Sequence, residues 1–281
     1  MHHAFLLPAL IASALSSELE RDVASVPTFA TASEQWQHAL SIAARLRGAR
    51  AVDQPAARRA AAAAWVAVRT RFPLERALAS EAAFRAAEQL RILEEDSAAL
   101  RELEFARVES PDPSLRAKAA LECAHIERRR RNGERALDLY LALSADSNAP
   151  PRRRDEAALW VGKTYAQLGR FADAERWLRR ASERASHALD RIRAFDEWCA
   201  LYIGIDDLEA AAGVLATARA SLAPLVLEET RLGEAVREGL ESMRSIASLE
   251  RAVARRRAQA PAVPALPAPA RREPPRPAPA R

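Results

Sequence analysis

Large apolar side chains recur along this chain in steps that fit one face of a helix, and small residues return at a longer interval. Ala61, Ala99, Ala136, Ala174 and Ala211 stand 37 or 38 residues apart. Four residues beyond each comes a side chain able to fill a core: Trp65, Leu103, Tyr140, Leu178 and Leu215. Seven beyond come Val68, Ala106, Leu143, Ala181 and Ala218, and twelve before come the small residues Ala49, Ala87, Ala124, Gly162 and Cys199. A joint pattern of small, large and polar positions over that period predicts stacked helical hairpins. Two antiparallel helices approach closely where one carries Gly, Ala or Cys, and a bulky neighbour fills the space beside it. Such a hairpin cannot bury its apolar face alone, so successive hairpins share one core.

No stretch alternates as a half-buried strand would, and the strong helix formers Ala, Leu, Arg and Glu dominate, so the fold class is all-α. Five hairpins fill residues 34–223. The first pairs 34–52 with a helix that opens at Pro55, a residue favoured at the first helical position, and stops before Pro73. The second pairs 78–92 with 96–108 and is closed by Ser110-Pro111-Asp112-Pro113. The third pairs 114–130 with 134–144, turns at Asn132-Gly133 and ends at Pro150-Pro151. The fourth pairs 153–167 with 171–185 through Gly169, and the fifth pairs 188–203 with 207–220 through Gly204 to Asp206. Ahead of them, 17–33 reads as a linker carrying Pro27; after them, 224–258 reads as one amphipathic capping helix. From 259 to 281, eight of the seventeen prolines mix with alanine and arginine, which predicts a disordered tail of polyproline II character.

Residues 158–181, ALWVGKTYAQLGRFADAERWLRRA, hold Gly162, Tyr165, Leu168-Gly169, Phe171, Ala174, Leu178 and Ala181 in an order that closely resembles a tetratricopeptide repeat (TPR). The fifth unit keeps Tyr202, Asp207-Leu208, Ala211, Leu215 and Ala218, with Cys199 in place of the family's glycine. The second keeps Leu90, Leu93, Ala99, Leu103, Ala106 and Pro111; the third keeps Ala136 and Tyr140 but has Glu127 at an apolar position; the first keeps Ala61 and Trp65. The family's common unit is about 34 residues long, shorter than the units here. The resemblance covers about 42–223. It implies a right-handed α-solenoid of about five TPR-like helical hairpins, with a groove lined by their first helices that holds peptides or partner proteins. Arg71-Phe72-Pro73 followed by an alanine-rich helix is also similar to exported bacterial TPR proteins of the outer-membrane assembly type.

Helical spacing from the small packing residues assigns the faces of that implied groove. The second hairpin offers Glu81, Phe84, Glu88 and Arg91, the third Lys118, Leu121, His125 and Arg128, the fourth Glu156, Leu159, Lys163 and Gln167, and the fifth Arg193 and Asp196. A cationic strip flanked by Leu121 and Leu159 suits a peptide carboxylate or an acidic-hydrophobic segment. The competing reading makes these ordinary solvated helix residues. Packing between helices falls to Ala61, Trp65, Ala99, Leu103, Ala136, Tyr140, Gly162, Tyr165, Ala174, Leu178, Ala211 and Leu215.

Charge refines this picture at the ends. The net charge is +5, yet residues 255–281 carry seven arginines against one glutamate, so the body is close to balanced. Arg128 to Arg131 sit at a helix end, where they complement the helix dipole and cover apolar surface with their stems. The tail arginines lack interleaved aromatics or a groove-reading fold, so they do not indicate specific nucleic-acid binding. Cys123 and Cys199 lie two repeats apart, too far for a disulfide. The histidines fall on separate hairpins, and no phosphate loop, zinc-spaced set or nucleophile elbow occurs, which points away from an enzyme, a metal or a cofactor. Ala4 to Leu15 has the length of a signal-peptide core but no preceding lysine or arginine, so a cleaved leader at 1–16 and an N-terminal helix both stand. The leader reading places the chain in the periplasm or outside the cell. The function expected is a non-enzymatic scaffold binding a protein or peptide in the groove; the alternative is a cytoplasmic adaptor acting through its basic Pro-rich tail.

Overall fold

Prolines and short polar side chains set the helix boundaries. The computed structural model describes residues 18–228 and 230–259; the leader and almost all of the tail lie outside them. After a helical segment at 18–25 come α1 (Ala32–Ala44), α2 (Gln54–Arg71), α3 (Arg76–Ile92), α4 (Asp96–Glu109), α5 (Pro113–Arg129) and α6 (Gly133–Ala145). They are followed by α7 (Pro151–Gln167), α8 (Phe171–Arg184), α9 (Ala188–Gly204), α10 (Leu208–Val226), α11 (Arg231–Glu241) and α12 (Arg244–Gln259). No strand occurs among the described residues, and none of their helices is long and apolar enough to cross a membrane. Thr31 and Glu34 close a capping box on α1, Asp112 accepts from the Ser114 N–H at 2.8 Å to open α5, and Thr230 accepts from the Gly233 N–H at 3.1 Å to open α11.

Consecutive helices pack antiparallel as hairpins, and the first helices of neighbouring units also touch: α1 with α3, α5 with α7, α7 with α9. Among the five repeat hairpins second helices do not approach one another to the same extent, so that part of the stack is tighter on its first-helix side. The result is an all-α solenoid whose buried side chains form three successive clusters along its length.

The repeat period is visible twice. All five anchor alanines are fully buried, and every residue of the packing set named above is buried as well. In the fourth unit a Cβ on Gly162 would lie 2.7 Å from Leu178 Cγ and 3.3 Å from the Leu178 backbone nitrogen. Here the small residue is the seat of the large one. In the fifth, the Cys199 thiol lies 3.4 Å from the Ala211 carbonyl oxygen, which joins the small position to the anchor itself.

The same period governs the turns. Glu94, Arg131, Gly169 and Asp206, each five residues before an anchor, have φ of 61°, 64°, 74° and 61°. In each turn the next residue's N–H reaches back five residues at 2.9 Å: Glu95 to Leu90, Asn132 to Glu127, Arg170 to Tyr165, and Asp207 to Tyr202. The left-handed residue itself donates three residues back, for example Arg131 to the Arg128 carbonyl at 3.1 Å. These paired bonds satisfy the orphan carbonyls of the first helix and turn the chain into the second. Only one of the four positions is a glycine.

Three expectations change. The first helix stops at Ala44, and two short 3-10 turns at 45–48 and 51–53 lead to α2. Ala49 therefore lies in a connection and does not seat a neighbouring helix. Within the expected 17–33 linker, the described residues 18–33 are not free: Leu19 is buried, and Arg71 donates to the Val23, Val26 and Pro27 carbonyls at 3.3, 2.8 and 2.7 Å. Buried Gln35 assists from α1, donating to the same Pro27 oxygen at 3.2 Å. Finally, 224–258 is not one capping helix. Pro224 sits inside α10, and α11 and α12 follow as a separate pair, with α12 packed on α9 and α10.

Candidate binding groove

Side chains on the inner faces of the first helices connect each unit to the next. Arg85 on α3 places its guanidinium 5.2 Å from the ring centres of both Trp36 and Trp65. Arg91 on α3 meets Glu122 on α5 at 3.6 Å. Arg128 on α5 stacks over Trp160 on α7 at 4.5 Å, and Lys163 stands over the same indole at 4.3 Å while bonding Glu197 on α9 at 2.5 Å. Arg244 of α12 then reaches Asp196 at 3.3 Å and Glu197 at 3.1 Å, and the Ser245 N–H donates to Asp196 at 2.8 Å. The partly buried cation–π contacts contribute about 0.5–2 kcal/mol each, and the ion pairs of exposed Arg244 about 0–1 kcal/mol.

His125 belongs to this set. Its ring meets Trp160 edge-on at 4.8 Å between centroids, and Nδ1 lies 2.6 Å from the Tyr140 hydroxyl. Burial, reinforced by Arg128, Arg129, Arg91 and Lys163, pushes its pKa down to about 4. Burial also raises Tyr140, so both rings are neutral at pH 7. An Arg128 hydrogen bond to the phenol oxygen favours the tautomer in which the Tyr140 hydroxyl donates to Nδ1.

Between α7 and α9 the inner surface opens into a cleft of about 640 Å³, bordered by Arg152, Leu159, Trp160, Asp190, Arg193 and Arg244 among others. A second hollow of about 330 Å³ continues toward the other end of the two helices, lined by Ala166, Gln167, Phe171, Leu178, Ala200 and Leu201. Lys163 and Glu197 border both, so their ion pair is the strut between the two chambers.

The residues expected to face a ligand divide three ways. Leu159, Lys163, Gln167, Arg193, Glu156 and Asp196 line the chambers. Phe84, Glu88 and Arg91 border only a hollow of about 30 Å³ between α3 and α5, and Lys118 stands exposed outside these cavities. Leu121 is buried in the core beneath α5, so it cannot flank a ligand. Nor is the strip simply cationic. The large chamber is bordered by five basic side chains and five carboxylates, and Arg91, Arg128 and Lys163 are engaged with the neighbouring unit. Residues that spacing did not single out are Trp160, Glu197, Arg152, Asp190 and Arg244. Trp160 was accessible to that reasoning, since it lies four residues after Glu156 on the same face. Among the described residues no three His, Cys, Asp or Glu side chains are grouped to hold a metal ion. Cys123 and Cys199 are free and buried, and burial pushes the Cys123 thiol up to about 12.

With this geometry in place, the chain can be set beside known proteins. No protein-family model matches it, and no curated protein sequence matches it. Among solved structures it is similar to the MamA protein, with 15% identity and a TM-score of 0.50 over 70% of this chain and 97% of that one. It also aligns with PilW, described as a type IV pilus biogenesis factor, at 18% identity and a TM-score of 0.47 over 83% and 94% of the two chains. BtubC from P. vanneervenii aligns at 18% identity and a TM-score of 0.49 over 76% and 94%. Identities this low speak to fold alone. The fold is a TPR-like α-solenoid, and its inner side carries a two-chambered groove between α7 and α9.

Proposed function

We propose that the chain is a non-enzymatic interaction scaffold that holds a protein or peptide segment in the groove between α7 and α9. One observation carries this reading: two adjoining chambers, sharing Lys163 and Glu197 as a border, lie between the first helices α7 and α9 and are each of the size of a ligand site. A rigid repeat stack presenting such a hollow suits capture of an extended chain better than chemistry. We place this scaffold outside the cytoplasm on the strength of the leader-like run at residues 4–15; sequencing the N-terminus of the natural protein tests that, with an intact Met1 in the cytoplasmic fraction as the refuting result.

Photo-crosslinking in the native cell tests the groove. A crosslinking residue at Leu159 or Ala200 should capture a partner, whereas one at Val108 or Ala216, exposed on second helices, should not. Capture from Val108 and Ala216 alone would place docking on the opposite side and overturn the proposal.

A further inference from the structure

The exposure of the charges in the large chamber indicates which ligand chemistry it accepts. While Arg153 and Lys163 are recessed in ion pairs with Glu156 and Glu197, three of its five basic side chains stand outward, Arg152, Arg193 and Arg244 being 69%, 67% and 81% exposed. Their carboxylate partners are recessed, Asp190, Asp196 and Glu197 being 16%, 12% and 20% exposed. Asp190 serves two arginines at once, meeting Arg193 at 3.1 Å but Arg152 only at 3.7 Å, beyond hydrogen-bond length. Glu197 likewise serves both Lys163 and Arg244. A guanidinium has five N–H donors, and these three arginines spend only a small part of theirs on the protein. The chamber therefore presents surplus donors at its mouth above recessed carboxylates that are each ion-paired, with Asp190 Oδ2 alone of their oxygens buried and accepting no hydrogen bond. An incoming carboxylate can take the free donors in bidentate fashion without displacing a buried group. An incoming cation would have to push the arginines aside and still meet a positively charged rim.

The second chamber has a different lining. Ala166, Phe171, Leu178, Ala200 and Leu201 make it mainly apolar, and Phe171 is among the exposed large hydrophobic residues. Along α9, the step from Arg193 at the donor-rich mouth to Leu201 in the apolar chamber is about 12 Å, which an extended chain covers in about four residues.

Resting on the proposed groove reading, we infer that the occupant is an extended acidic segment. One or two of its carboxylates meet Arg152, Arg193 and Arg244, and a large apolar side chain about four residues away fills the hollow beyond the Lys163–Glu197 strut. The acidic group fixes register and the apolar group excludes water.

Selection of random ten-residue peptides displayed against the full chain tests this. The selected peptides should be enriched in Asp or Glu with Leu, Ile, Phe or Met about four residues away. Their affinity should fall at least tenfold for the Arg152→Ala/Arg193→Ala variant and, separately, for Ala200→Trp, with the thermal midpoint of each variant unchanged. Selection of neutral or basic peptides, full binding to both variants, or no selection at all would overturn the inference. Selected peptides that crosslink at Leu159 without an acidic bias would leave the groove intact and refute only this chemistry. Peptides that never crosslink in the cleft would refute the groove reading itself.

Discussion

Replacing Gly162 by alanine should destabilise the chain, although glycine-to-alanine changes inside helices ordinarily do the reverse. The ordinary gain is about 0.5–1 kcal/mol, from the lower backbone entropy of alanine. At Gly162 the new Cβ would sit 2.7 Å from Leu178 Cγ, 2.8 Å from its Cδ2 and 3.3 Å from its backbone nitrogen. Two of those atoms cannot swing away, because one is the branch point of a buried side chain and the other is helix backbone. Relieving such overpacking costs about 1–3 kcal/mol, and with contacts this short on atoms that cannot move the upper half of that range applies, which leaves a net loss of about 1–2.5 kcal/mol. Gly213 supplies the control: it is exposed inside α10, and a Cβ there meets nothing within 4 Å, so Gly213→Ala should gain about 0.5–1 kcal/mol. Urea unfolding followed by far-UV circular dichroism on both variants reads the difference in sign. Adding Leu178→Ala should turn Gly162→Ala from harmful to favourable relative to Leu178→Ala alone. If Gly162→Ala matches or exceeds the parent in stability, close helix approach does not explain the small positions of the repeat.

Other consequences concern single residues. In the turns, Glu94→Gly should stabilise by up to about 1 kcal/mol by relieving a left-handed residue, and Gly169→Ala should cost about 1 kcal/mol; equal midpoints in thermal unfolding would contradict the turn assignment. His125 stays neutral in the folded chain down to about pH 4, whereas an unfolded histidine titrates near its ordinary value of 6.5. Stability is therefore full above pH 6.5 and falls as pH drops toward 4, by about 2 kcal/mol at pH 5. Urea midpoints at pH 7.5 and 5.0 should converge in His125→Gln, and an unchanged gap would assign the effect elsewhere. Buried Glu102 binds Arg69 through two bonds at 2.6 and 2.9 Å, so Glu102→Ala should cost about 2–3 kcal/mol while Arg69→Met with Glu102→Leu returns to within about 1 kcal/mol of the parent. A double variant as unstable as the single one would count against the ion pair as the cause.

The architecture was legible because its requirements are local. The anchors and their large partners answer to geometry within one hairpin and recur with it, whereas the left-handed turn residues Glu94 and Arg131 had no glycine at the position itself to mark them. Ala49 misled because an alanine-rich sequence places small residues at chosen offsets even where the helix has ended, here at Ala44. The terminal pair α11 and α12 was read as one helix because amphipathic charge continues across the break. Thr230, as a cap, was the available signal for where the second element begins. Groove residues were only partly legible. Helical spacing gives the face on which Arg91, Arg128 and Lys163 lie, but the neighbouring helix decides what they meet. Glu122, Trp160 and Glu197 stand there, so these cations serve the stack first. The chambers themselves arise from α7, α8 and α9 together, with Arg244 of α12 at the larger one, a relation that no single periodicity contains.

Hydrogen–deuterium exchange with a captured partner bound tests the central claim most directly. The groove account predicts added protection in peptides covering 151–167 and 188–204, and none in those covering 96–109 and 133–145. Protection confined to the latter pair, with α7 and α9 unchanged, would contradict it.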